Sequence, residues 1–382
     1  MKKALSVLVL VVGWAGLAAG DPPRPVKAAL HSVHVESGFI DDAVALAPSG
    51  DLVAYVVCDG DVQTLTLQRI GGDVVARTRL SGLPPIIAKL RFSSDGKYLL
   101  VVGDDRERDA KVARIMTAAG VPVGAALGPV TEASFASLDG EEVATTFVLK
   151  RGKTETTYTF AAYALPSLKL KKKRTFTADK TGMVKGLEMK FVAFTDGLRR
   201  IVGQRKGEFD RANDIRKPDT ISVVDALQGT LVSSSEIADP IGWAEVAGLR
   251  SQRPYDDAFL VVEELKTLVF VARDSTKKEI AIEEKMLKYE PKTLQQQLVG
   301  DRLYFTLTVD PVNPDITAKG KTDPPDVDLY VLEAGTDRAK RLLRIPSDRP
   351  IAWHIAGGRI VVLKKYKNFS RGGVDLHVYP VD

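Results

Sequence analysis

Polar turns along this chain are followed by strands that lack a polar face. The plainest case is Arg91-Phe92-Ser93-Ser94-Asp95-Gly96-Lys97-Tyr98-Leu99-Leu100-Val101-Val102-Gly103. Asp binds locally to the backbone and Gly accepts positive φ, so Ser94-Asp95-Gly96 predicts a turn between two strands. A strand that is apolar on both faces must be covered on both faces, so such hairpins are expected to stack as sheets packed between sheets.

The same design recurs. Turns end at Gly50, Gly96, Gly140, Gly197, Asp257, Asp301 and Gly358, each ahead of an apolar run such as Leu52-Val53-Ala54-Tyr55-Val56-Val57 or Ile360-Val361-Val362-Leu363. These spacings of 44 to 60 residues suit propeller blades better than helical repeats. Between successive turns lies a second, more polar hairpin, for example residues 62–68 with 73–80 around Gly71-Gly72, which gives four strands per unit. The last unit runs out after residues 374–379, one strand short. Lys27-Ala28-Ala29-Leu30-His31-Ser32-Val33-His34-Val35 stands spare before the first turn. The expectation is an all-β fold: a seven-bladed β-propeller, with six or eight blades as alternatives, closed by an N-terminal strand that joins the last blade and removes the open edge. Residues 21–382 would form one domain. The spacing of Ile282, Met286 and Tyr289 also admits a short helix within residues 279–289.

Composition modifies this picture at the N-terminus. A basic Met1-Lys2-Lys3, an apolar stretch from Ala4 to Val12 and small residues at Leu17-Ala18-Ala19-Gly20 predict a cleaved secretory signal over residues 1–20. No Cys stands at the cleavage point to carry a lipid. A periplasmic or secreted protein without membrane insertion is expected. The chain holds 54 Lys and Arg against 49 Asp and Glu. Loss of Lys2 and Lys3 leaves the balance near neutral, which does not favour a nucleic-acid partner. With a single cysteine, Cys58, no internal disulfide forms, and Cys58 is expected to be a small buried hydrophobe at the end of its apolar run. Stability must then come from a large core, which a chain of this length supplies by burying roughly three quarters of its unfolded surface.

The Phe-Ser-x-Asp-Gly-Lys-Tyr pattern beginning at Phe92 has echoes at Ala47-Pro48-Ser49-Gly50 and at Phe135-Ala136-Ser137-Leu138-Asp139-Gly140. It resembles the WD40-like repeats of bacterial exported propellers such as the TolB-like and YVTN families. The Gly-His to Trp-Asp signature of eukaryotic WD40 repeats is absent. The resemblance implies a disc with a central channel that most often binds a protein or small ligand and less often hydrolyses one. It transfers no catalytic residue.

Motifs for chemistry are missing: no Gly-x-Ser-x-Gly, no His-Glu-x-x-His, no phosphate loop and no Cys-x-x-Cys. No cofactor is implied. Of the four histidines, His31 or His34 would approach His377 if the first strand pairs with the last, without a third metal ligand. The rim opposite the Asp-Gly turns carries the longer connections, where binding residues usually reside. Its candidates are Asp104, Asp105 and Arg106; Arg205, Arg211 and Asp214; and Asp310, Asn313 and Asp315. Residues 310–328 also hold enough carboxylates to consider calcium, although the Gly and closing Glu of an EF-hand loop are lacking. Lys169-Leu170-Lys171-Lys172-Lys173-Arg174 falls on an expected outer strand, where lysines block sheet-to-sheet aggregation or dock on an anionic lipid or polymer. The sequence thus predicts a non-enzymatic scaffold that binds an envelope or secreted protein, or a small ligand, through its loop-rich rim. The alternative is a propeller-type hydrolase or lyase with its site at the channel mouth.

Overall fold

The computed structural model describes residues 29–35, 39–105, 107–108, 110–237, 258–263, 267–272, 277–282, 289–299, 302–309, 327–333, 335–345, 350–365 and 374–381. They are strands, turns and one short 3-10 turn at Asp196–Leu198. Strand β1 (His31–Val35) comes first in sequence but last in its sheet. The chain then lays down β2 (Phe39–Leu46), β3 (Leu52–Asp59), β4 (Val62–Arg69) and β5 (Val74–Arg79) as one antiparallel four-stranded sheet. A second sheet follows with β6 (Ile86–Phe92), β7 (Tyr98–Asp105), β8 (Ala110–Thr117) and β9 (Pro122–Val130).

Nine strands then run continuously: β10 (Glu132–Leu138), β11 (Glu141–Arg151), β12 (Thr156–Ala164), β13 (Leu170–Ala178), β14 (Met183–Val184), β15 (Met189–Thr195), β16 (Arg200–Arg205), β19 (Asp219–Asp225) and β20 (Leu231–Ile237). Between β16 and β19 a small hairpin of β17 (Phe209–Asp210) and β18 (Ile215–Arg216) stands apart as its own ribbon. The remaining sheets are β21 (Ala258–Glu263), β22 (Thr267–Ala272) and β23 (Lys277–Ile280); then β24 (Tyr289–Val299), β25 (Arg302–Val309), β26 (Val327–Glu333) and β27 (Lys340–Ile345); then β28 (Pro350–Ala356), β29 (Arg359–Lys365) and β30 (Val374–Pro380), to which β1 adds.

The repeat expected two separate units where the nine strands run together. Asp179 accounts for the join. Its Oδ1 accepts the Thr181 N–H (2.8 Å), the Thr181 hydroxyl (2.7 Å) and the Met183 N–H (3.1 Å). This turns the chain straight back, so that Ala178 pairs with Val184 and the ladder passes into the next sheet. The helix admitted at residues 279–289 has strands at both ends instead, β23 through Ile280 and β24 from Tyr289, while residues 283–288 lie outside the described set.

Strands of the second type of hairpin position carry the core. In β7 the pattern is five consecutive buried residues, Leu99 to Gly103. Leu99 and Val101 join Ala45, Ala54, Val56 and Leu65 of the first sheet, whereas Leu100 and Val102 join Phe135 and Ala144 of the third. The second sheet is therefore a layer shared by two cores. An aromatic core lies between β11–β13 and β15. Phe147 meets Phe160 at 5.0 Å and Phe194 at 4.6 Å between ring centroids, and Tyr158 meets Phe191 edge-on at 5.0 Å.

The spare N-terminal strand is used as expected. β1 pairs antiparallel with β30, with His31 opposite Val378 and Ser32 opposite His377. Val33, Val361, Leu363, Leu376 and Val378 then pack against Val44, Leu46, Val53 and Tyr55 of the first sheet. Beside this seam the turns at Gly50 and Gly357 abut. A Cβ on Gly357 (φ 53°) would lie 2.5 Å from the Gly50 nitrogen and 2.6 Å from the Ser49 carbonyl oxygen. The Arg359 guanidinium donates to the Gly50 carbonyl at 2.6 Å. Cys58 is half-buried rather than fully buried: it sits near the end of β3, past the last fully covered residue Val56, and packs on the margin of the first core.

Gly60 also has positive φ (56°), yet its Cβ would meet nothing within 4 Å. Gly60→Ala should therefore cost about 1 kcal/mol, the strain of the left-handed backbone alone, and Gly357→Ala about 3 kcal/mol because backbone atoms of the other turn must also move. Urea unfolding of the two variants checks this. Equal costs would mean that the first and last sheets do not meet at this point.

Candidate functional site

Two kinds of turn separate the rims. The Ser93-Ser94-Asp95-Gly96 turn is a loop knit by its own side chains. Ser93 Oγ donates to Asp95 Oδ1 (2.8 Å) and accepts the Tyr98 N–H (2.9 Å), and the Lys97 N–H reaches Asp95 Oδ1 (3.0 Å). Hydrogen bonds and the charge of Lys97, the largest influence, outweigh partial desolvation and hold the Asp95 carboxyl at about 2. By contrast, Asp139-Gly140 and Gly357-Gly358 are two-residue turns with positive φ at both positions. All of these serve the hairpin rather than a ligand.

The opposite rim holds the sites predicted for binding. Asp104 and Asp105 end β7, with Asp104 opposite Lys111 and Asp105 opposite Ala110. Asp105 is occupied by its own turn: Oδ1 accepts the Arg108 N–H at 3.2 Å and Oδ2 lies 3.7 Å from Arg108 Nε. Arg106, Asp310, Asn313 and Asp315 lie outside the described residues.

Arg205, Arg211 and Asp214 belong to one feature, the arm between β16 and β19. Its base is a buried carboxylate, Asp219, which accepts the Gln204 side-chain amide at 2.9 Å and the Gly207 N–H at 2.8 Å. Gly207 has no room for a side chain, since a Cβ would lie 1.8 Å from the Lys217 carbonyl oxygen. The Lys217 N–H then bonds the Glu208 carbonyl (3.0 Å), and Phe209 pairs with Arg216 and Asp210 with Ile215. Arg211 and Asp214 stand exposed near the tip, with Asp214 at φ 53°. Arg205 lies 4.0 Å from Glu208 at the base. The sequence reading missed the apolar content of this arm: Phe209 is 56% exposed and Ile215 61% exposed. The signal was present, since both interrupt a charged loop at a spacing that a short hairpin brings together. Among the described residues, no hydrogen bond or ion pair joins this arm to Asp104 or Asp105.

A second cluster on this rim was not predicted. Glu132, at the start of β10, receives Lys89 Nζ on Oε1 (2.8 Å) and Lys111 Nζ on Oε2 (3.3 Å), and Lys89 also donates to the Ala133 carbonyl (2.9 Å). It ties β6 and β8 of the second sheet to the third. Burial by itself would raise the Glu132 carboxyl, but the two lysines and the hydrogen bonds from Lys89 and the Ala133 N–H outweigh it and hold it at about 2.

The remaining candidates resolve into structural contacts. Asp328, counted among the calcium donors, is fully buried and gripped by Arg344 through both oxygens (2.8 and 2.9 Å), with Arg341 at 3.6 Å. It is therefore committed to β27, while residues 310–326 lie outside the described set. The histidines do not converge. His31 accepts the Gly71 N–H on Nδ1 (3.1 Å), His354 accepts the Leu46 N–H on Nδ1 (3.2 Å), and His377 contacts Ser32 Oγ through Nδ1 (2.8 Å) and Asp375 Oδ2 through Nε2 (3.7 Å). Ser, His and Asp thus sit together across β1 and β30, but 3.7 Å exceeds a hydrogen bond, and the contact serves the strand pairing. Among the described residues no group of three His, Cys, Asp or Glu side chains is placed to hold a metal.

The described residues form successive antiparallel sheets, with an exposed ribbon between β16 and β19. No family model matches the chain, and no curated protein matches it. Solved structures of similar architecture include the β-propeller domain of the Trilobed protease from Pyrococcus furiosus, at 13% identity over 90% of this chain and 95% of that one, with a TM-score of 0.48. The Myceliophteria thermophila Cps50 (Swd1) β-propeller domain is similar at 12% identity over 90% and 98%, with a TM-score of 0.45. The chain also spans about half of the Pyrococcus horikoshii acylaminoacyl peptidase: 12% identity, 91% of this chain, 52% of that one, TM-score 0.46.

The Glu132 carboxyl is depressed on folding, so its contribution is present above about pH 4.5 and disappears as pH falls toward 2. Glu132→Gln should lower stability at pH 7 by about 1–2 kcal/mol, allowing for its partial exposure, and by nearly nothing at pH 2. Urea midpoints measured across that range test the assignment; a pH-independent difference would refute it.

Proposed function

We infer that the chain is an exported seven-bladed β-propeller that acts as a non-enzymatic scaffold, binding a protein or a small ligand through the rim opposite the Ser-x-Asp-Gly turns. Support for seven lies in six four-stranded sets, formed by β2–β5, β6–β9, β10–β13, the group β15, β16, β19 and β20, β24–β27, and β28–β30 with β1, together with the seventh set β21–β23. Residues 238–257, between β20 and β21, lie outside the described set. Export rests on residues 1–20, and N-terminal sequencing of the mature protein should begin near Asp21.

The observation that carries the binding reading is the arm. An exposed Phe209 and Ile215 are held out on a ribbon whose base is fixed by a buried carboxylate. Such a pair gains by being covered, and an anchored ribbon loses little entropy when that happens. Arg205, Arg211 and Asp214 surround it as a polar rim. The hydrolase or lyase reading needs an acid or base that changes state near neutral pH. On this rim Asp105 and Asp219 accept N–H groups, and Glu132 accepts two lysines and stays ionised.

A photocrosslinking residue introduced at Arg211 of the exported protein should give a discrete adduct with an envelope component, and the same residue at the exposed Val75 of β5 should not. Phe209→Ser with Ile215→Ser should reduce that adduct at least tenfold while leaving thermal unfolding unchanged. The same adducts from both positions, or none from Arg211, would reject the arm as the binding site.

A further inference from the structure

The formal charge of this chain is far from evenly spread. Residues 150–206 hold fifteen Lys and Arg against four Asp and Glu, a net of +11, so the remainder of a chain of net +5 carries −6. The structure gathers much of that excess on the outer edge of the third sheet. Along β13 every residue from Leu170 to Thr175 is exposed. At one end of that strand, the turn bearing Lys153, which follows Lys150 and Arg151 of β11, meets the connection bearing Lys180, which leads to Lys190 of β15, through the ion pair of Glu155 with Lys185. At the other end Lys171 pairs with Glu141. Among the described residues no ion pair joins Lys169, Lys172 or Lys173 to an acidic side chain. Arg174 reaches to the turn between β19 and β20, donating to the Gln228 carbonyl (2.6 Å) and lying over the Phe176 ring.

Edge protection is an incomplete account of this surface. One or two lysines suffice to prevent strand addition, and the excess continues into turns that present no strand edge. The apolar content points the same way. Leu170 on β13 and Leu231 and Val232 on β20, just beyond the Gln228 contact, are each more than half exposed. Leu170 stands between Lys169 and Lys171, and Leu231 and Val232 follow the turn that Arg174 reaches. A nucleic acid would call for aromatic rings to stack on and for arginine forks, while lysine ammonium groups flanked by Leu and Val suit a layer of phosphate headgroups over acyl chains.

We propose that this face, formed by Lys169, Lys172, Lys173 and Arg174 with Leu170, Leu231 and Val232, docks the protein on the surface of an anionic phospholipid bilayer. It lies on different strands from the rim arm and does not depend on the function proposed for that arm. The contact is peripheral. The lysines supply attraction within about a Debye length of the headgroups, and the aliphatic side chains enter the headgroup layer. Each lysine held near an anionic leaflet raises partitioning about fivefold.

Sedimentation with vesicles of 30% phosphatidylglycerol in phosphatidylcholine, at 50 mM salt, tests the proposal. The protein should bind these and not pure phosphatidylcholine, and 500 mM salt should reduce the partition coefficient at least tenfold. Lys172→Glu with Lys173→Glu should lose at least tenfold. Arg77→Glu with Arg79→Glu, an equal charge change at exposed positions on β5 of the first sheet, should change it less than twofold. Lys172→Gln with Lys173→Gln, which avoids introducing negative charge beside Glu141, should fall between. Circular dichroism confirms that each variant is folded. The proposal fails if wild-type protein ignores the anionic vesicles, or if the two charge-reversed pairs lose binding equally. It fails also if Leu231→Ser with Val232→Ser leaves vesicle binding unchanged while single-stranded DNA is bound as tightly as the vesicles.

Discussion

Everything in this molecule follows from sheets that cannot tolerate water on either face. β7 shows the constraint in its simplest form, with Leu99 and Val101 committed to one neighbouring sheet and Leu100 and Val102 to the other. A stack built of such layers leaves two bare faces at its ends, each a large apolar surface. The chain removes both at once by packing Val361, Leu363, Leu376 and Val378 of the last sheet on Val44, Leu46, Val53 and Tyr55 of the first. β1 completes that last sheet, so closure couples residues 31–35 to residues 374–378 across almost the whole sequence. Opening the seam would expose two cores rather than one, which makes the N-terminal strand a structural element out of proportion to its five residues.

Charged side chains are used within this plan mainly as joints between layers. Glu132 with Lys89 and Lys111 fastens the second sheet to the third, Arg359 fastens the last sheet to the Gly50 turn, and Arg174 ties β13 to the Gln228 turn of the same nine-stranded sheet. Buried Asp219 and Asp328 do comparable work within a sheet, one holding the base of the arm and the other binding β26 to β27 through Arg344. A carboxylate buried in this way persists because several donors satisfy its lone pairs. What remains free to meet another molecule is carried outward: the apolar tip at Phe209 and Ile215, and the lysines of β13.

The local pattern of residues determined the strands and their order, because a run such as Leu99 to Val102 has only one kind of place to go, and because Ser93, Asp95 and Gly96 make their turn from their own side chains. It also determined that the first strand must return to the last, since the final set was one strand short. Tertiary structure alone decided how sheets join and which charges meet. The merging of two units into nine strands hangs on Asp179 catching residues two and four positions on, a contact that an Asp-Lys-Thr-Gly turn does not advertise. Glu132, Lys89 and Lys111 are separated by up to 43 residues and meet only when adjacent sheets are packed. Asp328 looked like a loop ligand and became a buried clamp, because its neighbours in space are arginines sixteen and thirteen residues away on the facing strand. Hydrophobic alternation acts between neighbours in sequence and can be read there; ion pairs between layers depend on a packing distance that no short stretch of sequence contains.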